Sequence, residues 1–233
     1  MNPGPLKTVV YIDGYNLYYG RLRHTNYKWL DVVALFESIL KIQDPSSTLE
    51  AVKYFTAPAL AKFASHGNDS QIAQQQYHRA LLARYPNKFS ITFGTHSFDK
   101  SGTSLPTFIA GKPYDRNIRS NVWKLEEKKT DVNLAMAMYR DVAKGLYDQV
   151  IICSNDSDAE PVLEALKEDF PSLIIGVVSP LRKHAIDTRS ISTSLSNFAK
   201  WTRKYILDEE LEKAQLPTRV PTKKKPADKP SHW

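Results

Sequence analysis

The chain has 233 residues, of which 42% are hydrophobic and 24% are charged, and its formal net charge is +7. This length allows one substantial core, and the composition is ordinary for a globular domain. No apolar run approaches the roughly 20 residues that span a bilayer, and the opening MNPGPLKTVV lacks a signal-peptide layout. The single cysteine, Cys153, excludes an internal disulfide and a cysteine-built zinc site. We therefore expect a cytoplasmic protein without a membrane partner.

Strand and helix patterns alternate along the first half of the chain. In order, they predict a strand (KTVVYID), a helix (LDVVALFESILKI), a strand (AVKYFTA), a helix (QIAQQQYHRALLARY) and a strand (KFSITFGTH). A helix-poor stretch follows, from about residue 97 to 118. The next pattern, VWKLEEKKTDVNLAMAMYRDVAKG, predicts one long helix that ends at Gly145.

The alternation continues in the second half. The patterns predict a strand (DQVIICSND), a helix (DAEPVLEALKEDF), a strand (LIIGVVSP), a short strand near KHAIDTR and a last helix within SISTSLSNFAKWTRKYIL. Strands that alternate with helices of this length indicate βαβ units and a mainly parallel sheet. The fold class is therefore α/β.

The chain is predicted to divide into one α/β domain, residues 5–208, and a disordered basic tail, residues 209–233. Residues 217–233 carry five Lys or Arg, one Asp and four Pro, which leaves 27 basic and 24 acidic residues elsewhere. Segments rich in proline and charge bury little apolar area and stay extended or disordered. Such a tail is either a solvated end or a weak, salt-dependent phosphate-binding segment.

Carboxylates follow two of the predicted strands. Asp13 ends the first strand, and Asp156 and Asp158 follow the strand VIIC. The carboxyl ends of parallel strands share one edge of a sheet, where ligands bind, so these side chains should lie together. In the predicted long helix, Glu127 and Asp131 are one turn apart and face the same way. Each feature also has a plain structural alternative, since Asp13 suits a turn and Asp156 or Ser157 suits a helix N-cap.

A carboxylate cluster of this kind is stable when a hard divalent cation neutralises it. Mg²⁺ prefers oxygen ligands and is typically held by one or two carboxylates together with water and substrate phosphates. An ion in such a site can activate water and stabilise the leaving oxygen in phosphodiester cleavage. The arrangement favours Mg²⁺ or Mn²⁺ and a polyanionic substrate.

Three segments carry a resemblance to a known family. YIDGYNLYYG, EEKKTDVNLAMAM and IICSNDSDAEPVLEAL resemble, in order, the signature segments of NYN domains, the LabA-like branch of the PIN-like nuclease superfamily. The resemblance spans about Lys7 to Pro180. It implies a PIN-like three-layer sandwich with a mainly parallel central sheet and a metal-dependent ribonuclease site.

The resemblance also implies roles for particular residues. The acids around Mg²⁺ or Mn²⁺ would be Asp13, Asp131, Asp156 and Asp158. Asn16 would complete the catalytic set by orienting water, backbone or phosphate. Many relatives carry a further acid two turns into the helix, where this chain has Met136, Ala137 and Met138. The number of metal ions and the activity of the site are therefore open at this point.

Basic and aromatic residues near these motifs are candidates for RNA contacts. The basic candidates follow the first motif or belong to GKPYDRNIRSNVWK and the adjoining helix: Arg21, Arg23, Lys28, Lys112, Arg116, Arg119, Lys128 and Lys129. The tyrosines Tyr15, Tyr18 and Tyr19 could stack on unpaired bases. A solvated helix face is the alternative for the two last lysines, and core packing is the alternative for the tyrosines.

The sequence favours a metal-dependent endoribonuclease acting on single-stranded or structured RNA. The alternative is an RNA-binding or regulatory module with a weak or inactive site. A phosphatase with an aspartate nucleophile is disfavoured because DGYN lacks the second aspartate that would serve as acid. A P-loop or Rossmann nucleotide site is disfavoured because no glycine-rich loop follows the first strand. The sequence leaves open the RNA target and whether the chain forms a homo-oligomer.

Overall fold

The structure, a computed structural model, describes residues 4–183 and 193–233. The strands are β1 Leu6–Asp13, β2 Ser47–Thr56, β3 Phe89–Phe93, β4 Thr95–Pro106, β5 Arg119–Lys128, β6 Gln149–Cys153, β7 Ile174–Val178, β8 Trp201–Arg203, β9 Arg219–Val220 and β10 Ala227–Asp228. The helices are α1 Gly14–Leu17, α2 Val32–Gln43, α3 Asn68–Arg84, α4 Thr130–Ala143, α5 Glu160–Asp169, α6 Thr193–Ser196 and α7 Asp208–Lys213. A π-helical turn, Tyr18–Leu22, and a 3-10 turn, Ser157–Ala159, complete the elements. Among the described helices, none has the length and apolar character needed to cross a bilayer.

A six-stranded parallel sheet forms the centre of the fold, which confirms the predicted α/β class. The strand order is β3-β2-β1-β6-β7-β8. The chain builds outward from β1 through β2 to β3, then returns to the other side of β1 and builds outward from β6. The strand order therefore reverses between β1 and β6, and a crevice for ligands is expected at their carboxyl ends.

Apolar side chains cover both faces of the sheet because its central strands are nearly continuous hydrophobic runs. On one face, Val10 and Ile12 pack in a core with Phe36 of α2 and Leu81 of α3. On the other face, alternate residues such as Tyr11 pack in a second core with helices α4 and α5. The result is the three-layer sandwich that the PIN-like resemblance implies.

The long helix predicted from residue 122 is wrong at its beginning. Residues 119–128 form strand β5, which pairs antiparallel with β4, so the predicted helix-poor stretch is one arm of a hairpin. Lys129, with a left-handed φ of 76°, separates β5 from α4, which begins at Thr130. The segment VWKLEEK contains residues that suit a helix, but cross-strand pairing with β4 decides its conformation.

The prediction of a disordered tail is also corrected by the structure. Residues after Lys213 wrap back onto the domain, and β9 pairs with β10. Val220 and Ala227 are buried in the same core as Trp29, and the indole of Trp233 packs at 6.3 Å from that of Trp29. Composition alone pointed to disorder, but a few apolar residues placed between the prolines are enough to anchor the segment.

The end of the domain differs from its prediction in two further respects. The predicted last helix is reduced to the short α6, and Trp201–Arg203 instead forms the edge strand β8 beside β7. Most of the segment KHAIDTR, where a short strand was predicted, lies outside the described residues.

Candidate metal centre

Asp13 is the last residue of β1 and is almost completely buried, with 4% of its surface exposed. Its carboxylate accepts three hydrogen bonds: from the backbone N–H of Asn16 (3.0 Å), from Asn16 Nδ2 (2.6 Å) and from Ser154 Oγ (3.2 Å). The first of these bonds caps helix α1, so the turn role expected for Asp13 is real. A carboxylate has about four acceptor positions, so this one keeps capacity for another ligand.

The loop after β6 lies beside Asp13 and is tied to it through Asn16. The Oδ1 atom of Asn16 accepts from the backbone N–H of Asn155 at 3.3 Å, while its amide nitrogen donates to Asp13. Ser154 Oγ, which donates to Asp13, accepts from the backbone N–H of Asp156 at 3.1 Å. Asn16 and Ser154 thus fix the ends of β1 and β6 relative to each other.

Asp156 and Asp158 project from this loop. Asp156 accepts a hydrogen bond from the backbone N–H of Asp158 at 3.1 Å, which makes it the N-cap of the 3-10 turn. The N-cap alternative for Asp156 is therefore correct as a local description. Asp156 also lines the pocket described next.

A single pocket brings the four predicted acids together. Asp131, in the first turn of α4, lines one depression at the switch point of the sheet together with Asp13, Asp156 and Asp158. The rest of the lining is Leu134, Ala135, Ile152, Ser154 and Ala159. The pocket thus combines apolar side chains with carboxylates from β1, the loop after β6 and α4.

Repulsion from neighbouring carboxylates contributes to the raised pKa values of Asp131 and Asp13. Burial raises the pKa of Asp131, and the charges of Asp13, Asp156 and Asp158 raise it further. Burial also raises the pKa of Asp13, while the hydrogen bonds from Asn16 and Ser154 oppose that increase. The four carboxylates are therefore electrostatically coupled, even though the side chain of Asp131 is exposed to solvent.

A fifth acid lies beside the pocket and was not among the predicted site residues. Burial, followed by the charges of Asp131 and Asp13, raises the pKa of Glu127 to about 7. Glu127 comes from β5 rather than from the helix, and it accepts a hydrogen bond from the backbone N–H of Thr130. The sequence signal for it was its spacing from Asp131, but the reason given there, a shared helical face, does not hold.

The donor set of this pocket fits a hard divalent cation. All four lining acids offer carboxylate oxygens, and their mutual repulsion is the condition that a cation relieves. Within residues 4–183 and 193–233, no group of three or more His, Cys, Asp or Glu side chains is arranged so that it could hold a metal ion. Mg²⁺ requires less than that, because it typically uses one or two carboxylates and completes its shell with water and phosphate oxygens.

Of the predicted RNA-binding residues, Arg21 is placed where it cannot touch RNA. Arg21 lies one helical turn after the buried Leu17 and is itself 1% exposed. Its Nε donates to the carbonyl of Ile206 at 2.7 Å, and its Nη2 forms an ion pair with Asp208. Arg21 is a structural residue that joins the first motif to α7, and the prediction for it was wrong.

The other basic candidates remain accessible to different degrees. Lys28 is half-buried, whereas the exposed candidates are Arg23, Lys112, Arg116, Arg119, Lys128 and Lys129. Two of them are already engaged: Arg119 Nε donates to Ser104 Oγ at 3.0 Å, and Lys128 pairs with Glu126 at 3.0 Å. Lys129 is the candidate nearest in sequence to the pocket, two residues before Asp131.

The three tyrosines of the first motif form a small cluster. Tyr15 stacks on Tyr19 at 5.7 Å, and Tyr18 meets Tyr19 edge to face at 5.1 Å. The hydroxyl of Tyr15 lies 3.1 Å from His96 Nε2. Tyr19 is 46% exposed and carries the guanidinium of Arg23 5.4 Å from its ring centre. Tyr19 is therefore the member of this cluster best placed to meet a ligand.

Comparison with known proteins gives three findings. Residues 7–200 match the NYN domain family. The chain is 37% identical over 243 aligned positions to 6-hydroxy-3-succinoylpyridine 3-monooxygenase HspA of Pseudomonas putida (strain DSM 28022 / S16). The alignment covers 98% of this chain and 76% of HspA. The fold is similar to the crystal structure of a protein of unknown function from Vibrio parahaemolyticus RIMD 2210633, with a TM-score of 0.51 and 16% identity. That alignment covers 90% of this chain and 98% of the Vibrio protein, and at this identity it describes the fold alone.

Proposed function

The chain belongs to the NYN domain family, and from that premise we propose that it is a divalent-metal-dependent endoribonuclease. One observation carries the proposal: carboxylates from β1, α4 and the loop after β6 line one pocket at the topological switch point. Metal-assisted phosphodiester hydrolysis uses such a set of oxygen ligands.

The residues of the pocket would divide the work between binding and positioning. Asp13, Asp131, Asp156 and Asp158 would hold Mg²⁺ or Mn²⁺, which supplies Lewis acidity and lowers the pKa of water in such sites. Asn16 and Ser154 hold the Asp13 carboxylate in one orientation through their hydrogen bonds. Lys129 is exposed two residues before Asp131 in the chain and would contact a substrate phosphate.

A second candidate function comes from the relative rather than from the pocket. HspA is named a monooxygenase of 6-hydroxy-3-succinoylpyridine, and its similarity extends over 98% of this chain. Oxidation of a related hydroxypyridine, with O₂ as oxidant and a two-electron donor, is therefore the alternative. The glycine-rich turn of a Rossmann dinucleotide site does not follow β1, where the chain reads DGYN. For that reason we rank hydrolysis of RNA first.

One experiment separates these candidates. The purified chain is incubated with end-labelled single-stranded RNA, with and without Mg²⁺ or Mn²⁺, and products are separated on a denaturing gel. In parallel, oxygen consumption is measured with 6-hydroxy-3-succinoylpyridine and NADH or NADPH. Metal-dependent RNA fragments without oxygen uptake support the proposal. Oxygen uptake that requires the pyridine, without RNA cleavage, overturns it in favour of the monooxygenase. RNA binding without either reaction would leave the binding-module alternative.

The raised pKa of Glu127 predicts how the metal-free fold responds to pH. The folded state keeps the proton of this carboxyl up to about pH 7, whereas the unfolded chain releases it near the ordinary pKa of glutamate, about 4.3. Between these values the folded state binds more protons, so stability falls as pH rises. We expect Glu127→Gln to raise the melting temperature of the metal-free protein at pH 8 and to leave it nearly unchanged at pH 4.

The control for this prediction is Glu212→Gln, which makes the same change on the exposed side of α7. Thermal melts in a chelating buffer, followed by circular dichroism at both pH values, provide the measurement. A Glu127→Gln melting temperature equal to that of the wild type at pH 8 would show that Glu127 is not under repulsion from the pocket.

A further inference from the structure

The hairpin of β4 and β5 projects from the domain as a separate two-stranded sheet. In the described part of the chain it is hydrogen-bonded to no third strand. A hairpin without a third strand or a covering helix has marginal stability of its own. This one nevertheless carries large apolar side chains on its surface: Trp123 is 71% exposed and Leu125 is 37% exposed.

One face of the hairpin continues outward from the acidic pocket. Side chains alternate along a strand, so Glu127, Leu125 and Trp123 of β5 point to the same side. Their neighbours on β4 follow the register, with His96 opposite Glu127 and Phe98 opposite Leu125. Trp123 lies four residues from Glu127, a distance of roughly 13 Å along the strand. We call the side chains of Phe98, Leu125 and Trp123 the aromatic face.

The aromatic face is ordered by contacts with the domain. The indole of Trp123 stacks on Phe98 with the ring centres 5.6 Å apart and an interplanar angle of 24°. Phe98 in turn meets Phe63 at 4.8 Å, and the ammonium of Lys62 lies 4.9 Å from the centre of the Phe98 ring. The inner side of Trp123 is therefore held by Phe98, while most of its surface remains open to a ligand.

The base of the hairpin is fixed at the pocket. Gly94, between β3 and β4, donates its N–H to the carbonyl of Thr56 at 2.7 Å. A Cβ atom on Gly94 would lie 2.2 Å from Thr130 Oγ1, so only glycine allows this close approach to the start of α4. Tyr15 Oη reaches His96 Nε2 on β4 at 3.1 Å. The direction of the aromatic face relative to the pocket is thus set by packing.

The charge of the hairpin favours a polyanion. Residues 95–129 contain seven Lys or Arg and four Asp or Glu. The acids are largely occupied: Glu126 pairs with Lys124 and Lys128, and Asp99 accepts hydrogen bonds from Ser101 and Thr103. These ion pairs also occupy Lys124 and Lys128, but residues 95–129 as a whole keep a net charge of +3, the difference between seven and four.

We propose that the aromatic face binds single-stranded RNA by stacking an unpaired base on Trp123 and leads the strand into the acidic pocket. This inference rests on the proposed function and names its substrate as single-stranded. Base stacking on an exposed aromatic ring, combined with nearby cations, is the general mode of single-strand binding. A duplex keeps its bases stacked inside, so it cannot use Trp123 in this way.

The test measures RNA binding without cleavage. Fluorescein-labelled single-stranded oligouridine and a labelled RNA duplex are titrated with wild type, Trp123→Ala and Trp123→Phe in EDTA, and binding is followed by fluorescence anisotropy. Val122→Ala is the matched control, because Val122 is 38% exposed on the opposite face of the same strand. We expect Trp123→Ala to weaken oligouridine binding about tenfold, as for the loss of one stacking platform. Trp123→Phe and Val122→Ala should stay within about twofold of wild type, and duplex binding should be equal for all four proteins.

Each outcome decides the inference. If Trp123→Ala binds oligouridine as the wild type does, the aromatic face is not the single-strand site, and the ribonuclease proposal still stands on its own cleavage assay. If the wild type binds neither RNA, this inference fails, whereas the ribonuclease proposal is decided by its own cleavage assay with metal. Sedimentation of wild type and Trp123→Ala, checked for folding by circular dichroism, tests whether the aromatic face joins two copies of the chain. A dimer in the wild type that Trp123→Ala disrupts would assign the face to a second copy of the chain and overturn the inference.

Discussion

Replacement of Asp131 by asparagine is expected to remove metal-dependent RNA cleavage while leaving the fold intact. Burial raises the pKa of Asp131, and the charges of Asp13, Asp156 and Asp158 raise it further, so Asp131 is coupled to the whole carboxylate set. It is also exposed at the start of α4, where a neutral side chain of the same shape can be accommodated. We expect the cleavage rate to fall by at least about a hundredfold, since loss of even an outer partner of a metal ligand costs 10- to 100-fold.

The same variant should lose the stabilisation that metal provides. A ligand that binds only the folded state stabilises it by about 2.7 kcal/mol when present at 100 times its Kd. Wild type is expected to melt at a higher temperature with Mn²⁺ than with EDTA, and Asp131→Asn should show little of this increase. Asp69→Asn, which makes the same substitution in the first turn of α3, is the matched control. Full cleavage by Asp131→Asn would exclude the carboxylate pocket as the catalytic site.

Asp13→Asn serves as a second variant with a different structural cost. The amide nitrogen of asparagine would face either the backbone N–H of Asn16, which donates to one oxygen of Asp13, or Asn16 Nδ2 and Ser154 Oγ, which both donate to the other. Activity should be lost here as well, but the change in metal-free stability would combine relief of repulsion with the loss of a hydrogen bond. Asp131→Asn is therefore the cleaner test of the charge itself.

Deletion of residues 217–233 is expected to destabilise the whole domain. The segment buries Val220 and Ala227, and Trp233 packs against Trp29 and Tyr77. Burial of a single Val side chain contributes about 1.5–3 kcal/mol, and each aromatic pair about 0.5–1.5 kcal/mol more. Removal would also expose the side chains beneath and break the hydrogen bond from Trp29 Nε1 to the carbonyl of Pro217. We expect a loss of about 5 kcal/mol, or a fall in melting temperature of 10–20 °C.

A control that removes charge but keeps the apolar contacts distinguishes packing from electrostatics. Lys223, Lys224 and Lys225 are exposed, and substitution of all three by glutamine removes most of the positive charge of the segment while keeping its apolar contacts. This triple variant should melt within a few degrees of wild type. Differential scanning calorimetry of the two proteins provides the comparison. A deletion variant that melts like the wild type would mean that the segment does not pack stably in solution.

Local sequence predicted the secondary structure correctly where the hydrophobic pattern and the burial in the fold agree. The runs VVYI, VIIC and LIIGVV are strands because continuous apolar segments of this length suit a sheet covered on both faces. Local sequence was insufficient for VWKLEEK, whose residues accept a helix but pair with β4 across 19 or more residues of chain. It also failed for the C-terminal segment, because a high proline and lysine content conceals the few apolar residues that reach the core.

The sequence by itself determined the family, the parallel sheet and the four acids, because these depend on strand patterns and on which residues follow the strands. The reversal of strand order between β1 and β6 follows from tertiary pairing, and it is what brings Asp13 beside Asp156. Three features depend on the tertiary structure alone. Glu127 of strand β5 lies near the pocket, and Arg21 is buried in an ion pair with Asp208. Trp123 is exposed on the hairpin. The physical reason is that burial and charge coupling depend on contacts between segments far apart in the chain, which neither spacing nor composition specifies.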